Sequence, residues 1–339
     1  MAVKTSWVLV LFLACGRTTS ATVAGPTPMA LPSVVPSAAP TPAPSASSSA
    51  PIVVAALPTA SASAEAGPPP VPSAPEGMLL VPAGTFTMGA DRTGEEDEHP
   101  AHPVTLPAFY LDRTEVTNAA YAECVAAKAC PPNDRHIASR MHAGEDAEYG
   151  RPTQPVIGVM WSDADAYCTY RGKRLPREAE FERAVRDDDG RRYPWGNDAP
   201  TPEKTAFGRP LSDNPGHGTT DDVGSHPAGR GPYGHDDLAG NVWEWMADEY
   251  DPFAYTRSTA SVGKPGTCPQ ILAAQDKLRA EGKQGFTGSN PIPRECEHVL
   301  RGGAFNYDGP GLRSSNRVHH PGHFRLVMAG FRCAKDATL

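Results

Sequence analysis

Between Gly16 and Gly77 the sequence holds no aromatic residue, no cysteine and only three charged residues, Arg17, Glu65 and Glu76. Such a stretch cannot bury enough apolar surface to offset the entropy of ordering it, which excludes a folded domain there. What it has instead is proline: fourteen of the chain's 37, interleaved with alanine and serine. That composition predicts a disordered, semi-stiff linker over residues 16–77, extending about 3.1 Å per residue where it is polyproline-like. The 339 residues therefore reduce to one ordered domain over residues 78–337.

A basic run is also missing. The formal charge is −8, and residues 1–77 contribute none of it, because Lys4 and Arg17 balance Glu65 and Glu76. An acidic domain of this kind argues against nucleic acid or an anionic membrane surface as partner. At the N-terminus the apolar run Trp7–Ala14 is eight residues long, where about 20 are needed to cross a bilayer. Behind Lys4 it reads as a secretory signal over residues 1–15. FLAC followed by Gly16 resembles a bacterial lipobox, with small Ala14 before Cys15; Phe12 departs from the usual leucine. The expectation is an exported protein of a bacterial cell envelope, on the outer membrane or periplasmic face. Its membrane contact would be a lipid on Cys15 alone.

Export implies an oxidising compartment. Without Cys15, six cysteines remain (Cys124, Cys130, Cys168, Cys268, Cys296 and Cys333), and no two form a CxxC pair. An even set without that spacing favours disulfides over zinc. CVAAKAC over 124–130 is able to close a short local loop, but the sequence alone leaves all fifteen pairings of six cysteines open.

MLLVPAGTFTMG (78–89) reads as two short strands around a turn, and HPVTLPAFYLD as two more with a proline break. Thr117 is a candidate N-cap, behind which Tyr121, Cys124 and Val125 share a helical face. PVIGVMW (155–161) reads as a buried strand. Ser162 is expected to cap a helix that Gly172 stops, and LPREAEFERAVR places Ala179, Phe181, Ala184 and Val185 on one side. HVLRGGAF and AGFRCA read as closing strands. Long periodic segments are scarce after Tyr193. The fold class is α+β with much irregular structure, whose loops need ties such as disulfides or cations.

These blocks, with YPWGND, YGHDDLAGNVWEW and RSSNR, stand in one order along the chain. Together they resemble the formylglycine-generating enzyme, or sulfatase-modifying factor, family over roughly residues 78–335. The resemblance implies a single α+β domain related to C-type lectins, with little regular secondary structure. It also implies a Cys168–Cys333 disulfide. That leaves Cys124–Cys130 as the local loop and Cys268–Cys296 to close an insertion at about 253–297.

DDLAGNVWEW (236–245) sets two carboxylates, Asp237 and Glu244, around an Ala-Gly-Asn bend where carbonyls turn inward. Mixed carboxylate and carbonyl oxygen suits calcium. The family resemblance makes the ligands Asp237, the Gly240 and Val242 carbonyls, and Glu244, holding one structural Ca2+. A second family calcium site is expected to be lost: its loop corresponds to DNPGHGTTDD (213–222), and Ala206 stands near its asparagine position.

Family oxidases hold copper(I) with two cysteines between the RGG and GFRC blocks. From Arg301 to Arg332 this chain has no cysteine, and Ser314 stands near the second position. Oxygen and guanidinium groups do not replace thiolates for a soft ion, so copper is not expected. Three readings follow. In the first, the domain binds a peptide or protein ligand along the old substrate groove, lined by Arg313, Ser314, Ser315, Asn316, Arg317 and Trp243, whose donors suit an anionic group. In the second it is an iron-dependent oxidoreductase using His319, His320 and His323, although no carboxylate stands at facial-triad spacing. The third is an active formylglycine-generating oxidase on Cys-x-Pro-x-Arg substrates. The acidic EEDE loop beside His99 and His102 is expected to be solvated. Oligomeric state is left open.

Overall fold

The computed structural model describes residues 74–211, 218–257, 267–281 and 295–337. Cys15 and nearly all of the linker lie outside them, so the anchor and linker readings are not addressed by the fold. No helix of the described residues is long and apolar enough to cross a membrane.

The elements in chain order are β1 (Met78–Val81), β2 (Gly84–Met88), β3 (His102–Leu106), β4 (Phe109–Asp112), α1 (Asn118–Ala126), α2 (Ile137–Arg140), α3 (Trp161–Tyr170) and α4 (Glu178–Arg186). They continue as β5 (Trp243–Glu249), α5 (Ala254–Arg257), α6 (Cys268–Ala280), β6 (Glu297–Arg301), β7 (Val318–Pro321), β8 (Ala329–Gly330) and β9 (Ala334–Asp336). The strands form three small sheets, ordered β1-β4-β9, β2-β3 and β7-β6-β5-β8. This is the α+β architecture expected from the sequence, with long stretches of ordered loop between short elements.

Local sequence signals explain most helix ends. Thr117 caps α1, its hydroxyl accepting from Ala120 N at 3.2 Å. Gly172 stops α3 with φ +66°, in the left-handed region that glycine enters without strain. Ser162 lies inside α3 and does not cap it; the cap is reciprocal to Asp163, whose carboxylate accepts from Met160 N at 3.0 Å.

β1 and β2 stand on either side of a turn, as expected, but in different sheets: β1 runs antiparallel to β4 and β2 to β3. One strand expectation is corrected. PVIGVMW is buried but makes no strand. Its backbone is tied singly, Val156 N to Val116 O at 2.9 Å and Gly158 N to Leu326 O at 3.1 Å. The acidic EEDE loop is likewise not solvated: Asp97 and Glu98 are buried in a short 3-10 turn over 96–98.

Two separate hydrophobic clusters take side chains from the β5 strand. Trp243, Trp245, Tyr121, Tyr167 and Phe331 pack with Cys168 and Cys333 on one side. Phe86, Phe109, Phe181, Met246 and Tyr250 fill the other. Disulfides join Cys168 to Cys333, the pair implied by the family resemblance, and Cys124 to Cys130 and Cys268 to Cys296, the two pairs expected from what it left over.

Candidate functional site

The Asp236–Glu244 segment lies at the centre of the domain. Its backbone turns sharply: Asp237, Gly240 and Asn241 all have positive φ, at 55°, 81° and 60°. Gly240 is required here, since a Cβ would collide with the Thr205 hydroxyl and the Ala206 carbonyl. The turn brings Asp237 and Glu244 into the interior, where Glu115 from the β4–α1 connection joins them. Burial pushes the Glu115 carboxyl well above the ordinary carboxylate range, and Asp237 and Glu244 push it the same way. Burial raises Asp237 and Glu244 also. Arg332 grips Glu244 through Nε–Oε2 at 2.7 Å and Nη2–Oε1 at 2.8 Å, and Arg230 and His226 act on Asp237 from further off.

Among the described residues, Arg332 is the guanidinium in direct contact with this trio of buried carboxylates, through Glu244. Glu115 Oε1 is buried with no hydrogen-bond partner, and a buried unpartnered carboxylate oxygen is costly. A hard cation is the kind of group that would relieve this cost. Asp237 and Glu244 would supply carboxylate oxygen, and Gly240 and Val242 carbonyl oxygen. Glu244 stays available although Arg332 occupies it, because each carboxylate oxygen keeps a second lone pair. Such an ion would supply charge compensation and cross-link the turn.

In the region of the second family ion, the described residues offer few free ligands. Ala206 is fully buried and offers no side-chain ligand. Asp221 is already held by Arg209, at 2.9 and 2.6 Å, and by His226 Nε2 at 2.8 Å. Residues 213–217 of the corresponding loop lie outside the described residues.

The stretch expected to line a substrate groove is mostly interior, which corrects that reading. Arg317 is buried and meets Glu178 bidentately at 2.7 and 2.9 Å, between the rings of Tyr250 and Tyr255. Against burial, which would raise it, Arg317 and Arg301 hold the Glu178 carboxyl below its ordinary range. Asn316 donates to Gly311 O at 2.8 Å, Ser314 to Arg191 O at 2.9 Å, and Ser315 to Glu98 at 2.6 Å. Arg313 pairs with the other oxygen of Glu98. Trp243 is 2% exposed, with its ring edge-on to Tyr307 at 5.1 Å. The Ser314, Ser315, Asn316 and Arg317 donors hold loops together and are engaged within the chain, whereas Trp243 Nε1 and Arg313 Nε are buried without a hydrogen-bond partner among the described residues.

The histidine trio is corrected as well. His319 and His320 are consecutive on β7 and so point to opposite faces. His319 stacks on Tyr250 at 3.8 Å and contacts Glu297, while His320 lies beside Phe324. Among the described residues, only Glu249, Cys268 and Cys296 bring three His, Cys, Asp or Glu ligand atoms within 4.8 Å of one another, and both cysteines there are in a disulfide.

Sequence reasoning did not single out Glu115, nor Glu98, Glu178 and Glu182, which pair with Arg313, Arg317 and Arg301. A signal was present: from 301 to 332 there are five arginines and one acid, Asp308. So many cations near core strands need carboxylates from elsewhere in the chain.

One open cleft of about 500 Å³ lies away from this centre, between α1 and the segment 132–150. Its floor includes Tyr121, Ile137, Tyr149 and Ile157, all buried, and Asp134, Arg135 and Asp146 stand among its lining residues.

Residues 63–337 match the family described as sulfatase-modifying factor enzyme 1-like domain. The chain belongs to this family. The match begins at residue 63, ahead of the boundary expected at 78. The chain is 32% identical to the formylglycine-generating enzyme of Streptomyces coelicolor over 340 residues, covering 84% of this chain and 97% of the relative. It is 31% identical to the hercynine oxygenase of Mycolicibacterium thermoresistibile, covering 81% of this chain but 62% of that protein's length. Among solved structures, PvdO from Pseudomonas aeruginosa is similar at TM-score 0.56 and 26% identity, over 76% of this chain and 94% of that one. Treponema denticola variable protein 1 shares the fold, at TM-score 0.51 and 20% identity. Family membership and the single-domain fold agree with what the motifs implied.

Proposed function

We propose that this protein is a calcium-stabilised, ligand- or protein-binding member of the sulfatase-modifying factor family that does not carry out copper-dependent formylglycine generation. The observation that carries this reading is the fate of its cysteines. All six of the domain are in disulfides, and none lies between Arg301 and Arg332. A soft monovalent copper ion demands thiolate, so the chain's residues do not fit that cofactor. In this reading the ion at Asp237, Gly240, Val242 and Glu244 is structural, and the protein works outside the cytoplasm, tethered through Cys15. The binding partner would be a peptide, a protein or a smaller ligand, met on the domain surface.

A second reading, an active oxidase, is favoured by the names of the relatives, which include a formylglycine-generating enzyme covered over 97% of its length. One experiment separates the two. The purified protein, reconstituted with copper(I), is incubated with a Cys-x-Pro-x-Arg peptide, and aldehyde is sought by mass spectrometry. The binding reading expects unmodified peptide and about one bound calcium per chain. Turnover above the copper-only control overturns it.

A further inference from the structure

The cleft between α1 and the segment 132–150 has the size and lining of a small-molecule site. Its volume of about 500 Å³ sits within the range of roughly 300–1,000 Å³ usual for such sites. Tyr121, Val125, Ile137, Tyr149 and Ile157 give it a mainly apolar floor. That floor is held rigidly, with Tyr121 donating to Pro131 O at 2.8 Å and Tyr149 to Ala143 O at 2.9 Å.

The polar rim is almost wholly engaged by the chain itself. Asp134 is paired with Arg140 and accepts from His136 N at 3.1 Å. Asp146 accepts from Ser139 N and Ser139 Oγ, both at 3.0 Å, and contacts His136 Nδ1 at the same distance. Asn118 donates to Tyr149 O at 2.8 Å and Asn133 to Ile157 O at 3.0 Å. Arg135 is the exception. It is exposed at the rim, and no hydrogen bond or ion pair engages its guanidinium among the described residues. Asp134 is ion-paired with Arg140, and the Asp146 oxygens are taken up by Ser139 and His136, so Arg135 is the lining cation left to meet a ligand.

We propose that this cleft binds a small amphiphile with an apolar body and a single carboxylate, the body lying on the Tyr121–Ile137–Tyr149–Ile157 floor and the carboxylate meeting Arg135. Guanidinium and carboxylate match as a planar, two-point pair, and the floor recovers free energy from apolar area removed from water. A free acid and the C-terminal residue of a peptide share this chemistry. The assignment deepens the binding role proposed above and rests on it.

The test uses the full-length protein and isothermal titration with four probes: 4-phenylbutyrate, 4-phenylbutanol, and a short peptide ending in phenylalanine with a free or an amidated C-terminus. Two variants accompany it: Arg135→Gln, which removes the charge, and Ala122→Trp, which fills the cleft from an exposed position of α1. The expected result is binding of 4-phenylbutyrate that weakens about tenfold in Arg135→Gln, a change of about 1.4 kcal/mol. The alcohol should bind equally to wild type and Arg135→Gln, and Ala122→Trp should abolish both. Preference for the free-ended peptide over the free acid identifies a peptide terminus as the source, and the reverse identifies a small acid. The proposal is overturned if no carboxylate probe binds at millimolar concentration, or if carboxylate binding is unchanged in either variant. Aldehyde formation in the oxidase assay would overturn the function proposed above while leaving this titration readable on its own.

Discussion

Arg332 and Glu244 form a fully buried, two-point ion pair, 2.7 and 2.8 Å between nitrogen and oxygen, at the junction of β5 and the C-terminal GFRC segment. Arg332 also donates to the carbonyls of Asp112, Asp236 and Asp237. Removing one partner of such a pair leaves a buried charge and costs about 3–5 kcal/mol. Arg332→Ala should lose at least that much, because Glu115 and Asp237 would stand uncompensated beside Glu244. Urea unfolding of the variant beside wild type reads the loss; a midpoint unchanged in the variant would refute the account.

Calcium should matter more as pH rises. In the ion-free protein, burial raises the Glu115 and Asp237 carboxyls above their unfolded values. A raised carboxyl contributes stability below its unfolded value and loses it as pH climbs through the folded one. Chelated protein should therefore be less stable at pH 8 than at pH 6. Calcium at about 100 times its Kd should restore about 2.7 kcal/mol. Melting curves with EDTA or CaCl2 at the two pH values check this, and Asp237→Asn should blunt the calcium response.

Asp248 supplies a second, separable titration. Its carboxyl is pushed up to about 7 by burial and by Glu178 and Glu180, although it accepts from Glu178 N at 2.6 Å. With the folded value above the unfolded 3.8, its contribution is full below pH 4 and drains away as pH rises through about 7. Asp248→Asn keeps the acceptor and removes the titration. The difference in stability between variant and wild type should thus grow in the variant's favour from pH 5 to pH 8. A flat difference would show that Asp248 does not titrate there.

The disulfides should differ in weight. Cys168–Cys333 spans 165 residues and Cys124–Cys130 spans six. The chain-entropy account assigns them about 5 and about 2 kcal/mol. Paired alanine substitutions at 168 and 333 should lower the thermal midpoint far more than those at 124 and 130.

How much of this was legible in the sequence depended on the range of the interaction. Thr117 as a cap and Gly172 as a stop needed only neighbours a few residues away. The three disulfide partners followed once the motifs had placed the blocks in order. Pairings of short strands were not legible, since MLLV reads the same whether it joins β2 or, as found, β4. The RSSNR donors looked like a groove because their partners, Glu98 and Glu178, lie 215 and 139 residues away. A charged side chain carries no local mark of whether it faces solvent or a distant acid. The cleft escaped for a related reason: Tyr121 and Val125 read as core helix residues, and only the path of the 132–150 segment leaves space beside them.

The sheet ordered β1-β4-β9 places the first and last strands of the domain on either side of one strand. Met78 is level with Asp112 and Asp336 with Phe109. From two strand spacings and three residues of rise, the two ends of the fold are roughly 14 Å apart. A unit that begins and finishes at nearly the same point can be spliced into a longer polypeptide, or rejoined end to end with new termini elsewhere, without disturbing its interior.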